Sequence, residues 1–203
     1  MIAAEATPLG VVLAGGRSSR LGTDKAALPF HGQALLRQVA QCVKRVTGTV
    51  YISGRDPAPC GVRAPWMPDV VTGCGPAGGV LTALEVLGRS CLVVSCDLPF
   101  LDDTTLTRLL LAWRARPRHV LMTTFRIVET GYVESLVSVY EPEGAGMLRE
   151  SLARGEQRLS GIFSEDVRFH IAYSRSDQPV ARAFFNINSP PDLLRARDME
   201  GPA

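Results

Sequence analysis

The sequence predicts an α/β protein: three layers, with a mostly parallel twisted sheet covered by helices on both faces. Two observations carry the prediction. Short, almost wholly apolar runs at 9–14 and 91–96 have the composition of strands buried on both faces. Between such runs lie segments with apolar residues at helical spacing, and this alternation implies right-handed crossovers between parallel strands. The composition fits: 203 residues with 46% apolar and 21% charged side chains provide for one domain with a substantial core and exclude a disordered chain. Residues 1–203 are therefore expected to form a single domain.

Each element follows in order. The run 9–14 is the first strand. Residues 33–46 place Leu35, Leu36, Val39, Val43 and Val46 on one helical stripe. The β-branched and aromatic stretch 49–53 reads as a strand, and 64–67 as another. Pro76 opens a helix through residue 87, with Gly88 as its stop. Residues 91–96 form the second apolar strand. A helix over 102–115 has Asp102 or Asp103 as N-cap. Strands are expected at 119–124 and 167–173, a half-exposed alternating strand at 133–140, and a helix at 144–154. At the C-terminal end Ser189, two prolines and Asp192 mark a helix start.

Charge and cysteine content exclude several classes. A net charge of +2 without a basic stripe argues against nucleic-acid binding. Arg114, Arg116 and Arg118 cluster where a helix is expected to end, a place that suits cations. No stretch reaches membrane-spanning length, and the acid in the opening MIAAEATP does not suit a secretory leader. Five cysteines without a CxxC pair read as reduced thiols, so a cytoplasmic protein is expected. Cys91 and Cys96 face opposite sides of their strand and share no metal. The histidines at 31, 119 and 170 are scattered and receive no role.

In parallel sheets ligands bind beyond the carboxyl ends of the strands, and four stretches lie there. In LGVVLAGGRSSRLGTDKAAL, Gly15 and Gly16 follow the first strand; at positive φ their N–H groups would form an anion nest. Arg17, Arg20 and Lys25 add cations. Neither the P-loop pattern nor GxGxxG is present, so this is a phosphate loop of another kind or a basic surface turn. In CLVVSCDLPFL, Asp97 ends a strand carrying no other charge; it suits a hard cation such as Mg²⁺ bridging to phosphates, or an N-cap. MPDVVTGCGPAGGVLTAL places Asp69 before a glycine-rich entry to a helix, suited to a flat ligand or to close packing. In FFNINSPPDL, Asn186 and Asn188 share a face at an expected strand end; either amide could reach a metal, though Asn before a helix is also ordinary turn chemistry. Ser18 and Ser19 lack triad partners.

On these motifs the chain resembles the nucleoside-triphosphate transferases of Rossmann-like (GT-A-like) fold, and among them the MobA-like molybdenum cofactor guanylyltransferases. The matching stretches are Leu13-Ala14-Gly15-Gly16 with Arg20, Gly22 and Asp24-Lys25; Gly75-Pro76-Ala77-Gly78-Gly79; Cys96-Asp97-Leu98-Pro99-Phe100-Leu101; Gly155, Glu156 and Arg158; and Asn186-Ile187-Asn188-Ser189-Pro190-Pro191-Asp192-Leu193. They run through almost the whole chain in the family's order. The chain departs from the pattern at Ser53 and Gly54, where relatives often carry Asn, and at Ser135-Leu136, where many carry Pro-Leu. Gly15, the Asp24-Lys25 pair and the two Asn favour the guanylyl branch over its cytidylyl sisters.

The resemblance implies transfer of GMP from GTP to the terminal phosphate of molybdopterin, with pyrophosphate released and Mg²⁺ as cofactor. Backbone N–H groups of Ala14, Gly15 and Gly16 would hold phosphates. Lys25 and Arg20 would neutralise the leaving group, and Asp97 would hold the metal with Asn188 as a possible second ligand. Leu13, Ser53 and Asp69 would line the nucleotide. Transient contact with proteins that deliver the cofactor, or that chaperone molybdoenzymes, is also implied. Another acceptor, CTP in place of GTP, or a nucleotide sensor without turnover remain alternative readings.

Overall fold

The computed structural model describes residues 7–15 and 24–199. Nine strands occur in chain order: β1 (Leu9–Leu13), β2 (Pro29–Phe30), β3 (Gln33–Ala34), β4 (Tyr51–Ser53), β5 (Trp66–Met67), β6 (Cys91–Ser95), β7 (Met122–Ile127), β8 (Val133–Tyr140) and β9 (Arg168–Tyr173). The helices are α1 (Leu35–Thr47), α2 (Gly75–Leu87), α3 (Asp103–Ala115), α4 (Ala145–Ala153), α5 (Leu159–Ile162), α6 (Gln178–Ala183) and α7 (Pro190–Asp198). Seven strands form one sheet in the order β5-β4-β1-β6-β8-β7-β9. All neighbours are parallel except β8, which runs antiparallel to both β6 and β7.

Alternate side chains of the central strands feed two cores. Val12 and Ala14 of the β1 end, with Leu92, Val94 and Cys96, pack beneath α1 and α3. Val11 and Leu13, with Cys91 and Val93, pack beneath α2, α4 and α5. The sheet is thus covered on both faces, as its unbroken apolar strands require. Cys91 and Cys96 do fall on opposite faces.

The chain leaves β1 toward β4 and β5 on one side and returns to β6 on the other, so the strand order reverses between β1 and β6. Ligands of open α/β sheets lodge at the carboxyl ends of strands flanking such a reversal. Register holds that edge together: Leu13 pairs with both Ser53 and Ser95, and Cys96 N donates to Leu13 O at 3.1 Å.

Several elements differ from the sequence expectation. The segment 33–34 pairs with 29–30 as a small hairpin, so α1 begins at Leu35. The strand expected at 119–124 is β7, displaced three residues on, because its pairing with β8 starts at Met122 opposite Tyr140. Strand β8 is interior, and its far half, Val137 to Tyr140, is fully buried. Its polar alternation persists because Ser138 Oγ is satisfied internally, donating to Thr124 Oγ1 at 2.8 Å. No strand precedes Asn186; the asparagines lie in the irregular link between α6 and α7. Ser189 stands at the N-cap of α7 but caps no backbone; its hydroxyl donates to Asp192 Oδ2 at 2.7 Å, and that oxygen also accepts from Asn188 N.

Candidate active site

Four parallel strand ends open on one edge. Ala14 and Gly15 follow β1, Gly54 follows β4, Asp69 follows β5 and Asp97 follows β6. Gly16 and Arg20, together with Arg17, lie outside the described residues.

On the β4–β5 side Gly15, Ser53, Gly54 and Asp69 crowd together. Gly54 has φ +99°, and a Cβ there would stand 2.6 Å from Gly15 Cα, so only glycine fits. The Ser53 hydroxyl sits 3.4 Å from Gly79 O and 3.5 Å from Asp69 Oδ1. Burial raises the Asp69 carboxyl above its ordinary value, and the Ser53 hydroxyl offsets part of that rise.

Two sequence-derived expectations are corrected here. Gly15 does not adopt positive φ; its small size serves the contact with Gly54 and Asp69 instead. Ala14 N donates to Ser53 O at 2.9 Å, because the sheet ladder runs one residue past β1, so that donor is already engaged.

On the β6 side three residues from distant parts of the chain meet. Lys25 Nζ donates to Asn188 Oδ1 at 2.6 Å and lies 3.6 Å from Asp97 Oδ2. Both charged side chains are largely buried, at 21% and 14% exposure. Lys25 is presented by a 3₁₀ turn, Lys25–Ala27, which Asp24 caps by accepting from Ala26 N. Arg55 donates to Asp24 at 2.6 Å and so ties that turn to the loop after β4. Ile187 N donates to Asp97 O at 3.0 Å and fastens the C-terminal segment to the β6 end. A small third core of Leu28, Phe30, Leu35, Ile187 and Ala196 packs the two flanking segments together.

Among the described residues no cluster of three or more His, Cys, Asp or Glu could hold a metal. The donor set at the β6 end is one carboxylate and one amide. Asp97 Oδ1 is buried and accepts no hydrogen bond among the described residues. An orphaned, buried carboxylate oxygen is a fit ligand for a hard cation that takes its other ligands from phosphate and water. Asn188 Oδ1 is engaged by Lys25 in this arrangement.

Arg55 is a partner of Asp24 that sequence reasoning missed, since nothing local marks an arginine after a strand as a buttress. Leu13 is buried at the seam between β1 and β6.

No helix among the described residues is long and apolar enough to cross a membrane. The family model for the MobA-like NTP transferase domain matches residues 10–184. A probable molybdenum cofactor guanylyltransferase of Pelotomaculum thermopropionicum is 33% identical over 94% of this chain and 92% of its own length. The molybdenum cofactor guanylyltransferase of Rhodobacter capsulatus is 26% identical over 93% and 94%. Among solved structures, molybdopterin-guanine dinucleotide biosynthesis protein A of Archaeoglobus fulgidus superposes with a TM-score of 0.75 at 24% identity, covering 94% of this chain and 97% of that one. A 2-C-methyl-D-erythritol 4-phosphate cytidylyltransferase of Thermus thermophilus gives 0.66 at 17% identity, over 95% and 98%, and shares the fold. A family model that matches most of the chain, together with a relative 33% identical along nearly its whole length, shows that the chain belongs to the MobA-like NTP transferase family.

Proposed function

We propose that this protein transfers GMP from GTP to the terminal phosphate of molybdopterin, releasing pyrophosphate and forming the guanine dinucleotide cofactor. The meeting of Lys25, Asp97 and Asn188 at the strand reversal carries the reading, because it concentrates one cation and one unsatisfied carboxylate where a triphosphate would lie. The names of the relatives support guanylyl transfer and this acceptor. The whole chain, 1–203, serves as one nucleotidyltransferase domain in this reading, acting in the cytoplasm, where its free thiols remain reduced.

The chemistry needs little from the protein beyond placement and charge. A phosphate oxygen of the acceptor attacks the α-phosphorus of GTP; the bond from that phosphorus to the bridging oxygen breaks, and pyrophosphate departs with the electron pair. The nucleophile is already ionised, so no general base is required. Lys25 neutralises charge on the departing pyrophosphate, and Arg20 assists. Gly15 and Gly16 supply backbone donors to the phosphates; Ala14 lines the site without donating. Leu13, Ser53 and Asp69 line the nucleoside side. Mg²⁺ would be held by Asp97, and when bound it supplies charge neutralisation at the phosphate oxygens. Asn188 would offer its amide oxygen to the same ion in place of its hydrogen bond with Lys25.

The test is pyrophosphate release from GTP, measured with and without molybdenum-loaded molybdopterin. Release that depends on both GTP and this acceptor is the expected result. Release from CTP in preference to GTP, or none with any triphosphate, contradicts the reading.

A further inference from the structure

Lys25 is placed by a turn with little stability of its own. The 3₁₀ turn Lys25–Ala27 is three residues long, and so short a helix does not persist without outside support. Its backbone bonds, from Ala27 N to Asp24 O and from Leu28 N to Lys25 O, are each 3.1 Å. Ala26 N donates to Asp24 Oδ1 at 3.1 Å, and the same oxygen accepts from Arg55 Nη1 at 2.6 Å. We propose that Arg55 is a positioning residue: acting through Asp24, it fixes the place of the Lys25 ammonium against the triphosphate without touching the reacting atoms. The reaction it serves rests on the guanylyl-transfer reading; the positioning rests on the geometry.

Stability does not explain the pair. The Arg55 and Asp24 side chains are 30% and 41% exposed, and ion pairs so open to water add little to folding. Arg55 Nε, meanwhile, is buried with no hydrogen-bond partner among the described residues, an arrangement that subtracts from stability. What the pair supplies is direction. Arg55 Nη1 and Ala26 N converge on one carboxylate oxygen, so Asp24 is pinned between the loop after β4 and the turn that presents Lys25. Hydrogen bonding to Asp24 raises the Arg55 guanidinium above its ordinary value, so the cation persists in this role. The Lys25 stem is long and flexible; the placing of its backbone therefore decides where the ammonium can reach.

Arg55 is itself anchored. It follows Gly54, whose N donates to Met67 O at 2.8 Å and whose backbone lies against Gly15. Beyond it, Asp56 Oδ1 accepts from Ala58 N at 2.9 Å at the start of the 3₁₀ turn Ala58–Cys60. Cys60 and Ala26 are buried in the same core, so the loop that carries Arg55 and the turn that carries Lys25 pack on common ground. A connected series results. Asp69 and Ser53 adjoin Gly54, Arg55 follows it and holds Asp24, and Lys25 then meets Asp97 and Asn188. Arg55 is the link by which the nucleoside side of the site sets the cation on the leaving-group side.

The experiment uses the full chain with Arg55→Gln and Arg55→Lys, each alone and combined with Lys25→Ala, and melting temperatures check that every variant folds. Pyrophosphate release from GTP with the acceptor is read first. Arg55→Gln is expected to lower kcat/KM for GTP by about 10–100-fold, and Arg55→Lys, which keeps a cation for Asp24, to recover much of the loss. In the Lys25→Ala background either substitution is expected to lower it no further, whereas a residue that merely supported the fold would lower it by the same factor in both backgrounds. Second, inorganic triphosphate with Mg²⁺ is titrated calorimetrically, a measurement that needs no transfer chemistry. Its affinity is expected to fall several-fold in Arg55→Gln, and to fall no further when that change is added to Lys25→Ala. Wild-type kcat/KM in Arg55→Gln, equal fractional losses in the two backgrounds, or triphosphate affinity indifferent to Arg55 overturns the proposal. Triphosphate affinity that depends on Arg55 through Lys25, in a wild type that transfers no GMP, would leave the positioning role standing and remove the guanylyl-transfer reading.

Discussion

Lys25 and Asn188 stand 163 positions apart, yet a 2.6 Å hydrogen bond joins them beside Asp97. Each is legible from its own short motif, Lys25 as a cation downstream of the glycine turn and Asn188 as an amide ahead of a helix start. Their contact was not legible, since nothing in either motif encodes the other's position. Lys25→Ala and Asp97→Asn are each expected to lower kcat by about 10²–10³. Unchanged circular dichroism spectra and melting temperatures within a few degrees of wild type would separate this loss from misfolding. Asp69 behaves differently. Burial raises its pKa in the folded state, so its contribution to stability is fully present below the unfolded value and is lost as pH rises through the higher folded one. At pH 7 without nucleotide, Asp69→Asn should therefore melt above the wild type, and the gap should close as pH falls toward about 4. The same variant should bind GTP more weakly. A variant that melts lower at pH 7 would count against a buried, destabilised carboxylate at this place.

At the scale of elements, the long helices and the fully buried strands were legible because each satisfies one periodicity along its whole length. Helices α1, α2 and α3 lie within a residue or two of their expected bounds. Three kinds of element were not. The hairpin of β2 and β3 is too short for a period and was absorbed into α1. The helices α5 and α6 have four and six residues, too few for an apolar stripe. The alternation in β8 predicts a half-exposed strand because the pattern is blind to the buried hydroxyl partner of Ser138. The close packing at Gly15 was not legible, because the clash that enforces it belongs to Gly54, thirty-nine positions on. Gly54→Ala combines a φ of +99° with a Cβ 2.6 Å from Gly15 Cα. It should cost at least about 1–3 kcal/mol in urea denaturation, with a further loss of GTP affinity because Gly15 must shift.

For the whole molecule, a polar knot ties together the edge of the sheet opposite the site. Glu141, just past β8, accepts from Trp113 Nε1 and Ser90 Oγ, each at 2.6 Å, and pairs with Arg116 at 3.1 Å. Arg116 and Glu141 are each 9% exposed, so the arginine at the end of α3 is a buried partner as well as a helix-end cation. Glu141→Ala strands a buried charge and should cost about 3–5 kcal/mol in urea denaturation, far from the site. The three-layer architecture was legible in the alternation of apolar runs and helices; the antiparallel insertion of β8 was not, because strand direction leaves no local mark. The claim that joins these scales is that Lys25, Asp97 and the glycine turn form one Mg²⁺-triphosphate site selective for guanine. The direct measurement is the melting temperature of the wild type and of Asp97→Asn with each of the four nucleoside triphosphates and Mg²⁺. Ligand at a hundred times its Kd adds about 2.7 kcal/mol to stability, a rise of roughly 5–10 °C for a chain of this length. That rise is expected for the wild type with GTP alone, and its loss in Asp97→Asn. Equal shifts with all four triphosphates, or a GTP shift that survives Asp97→Asn, would contradict it.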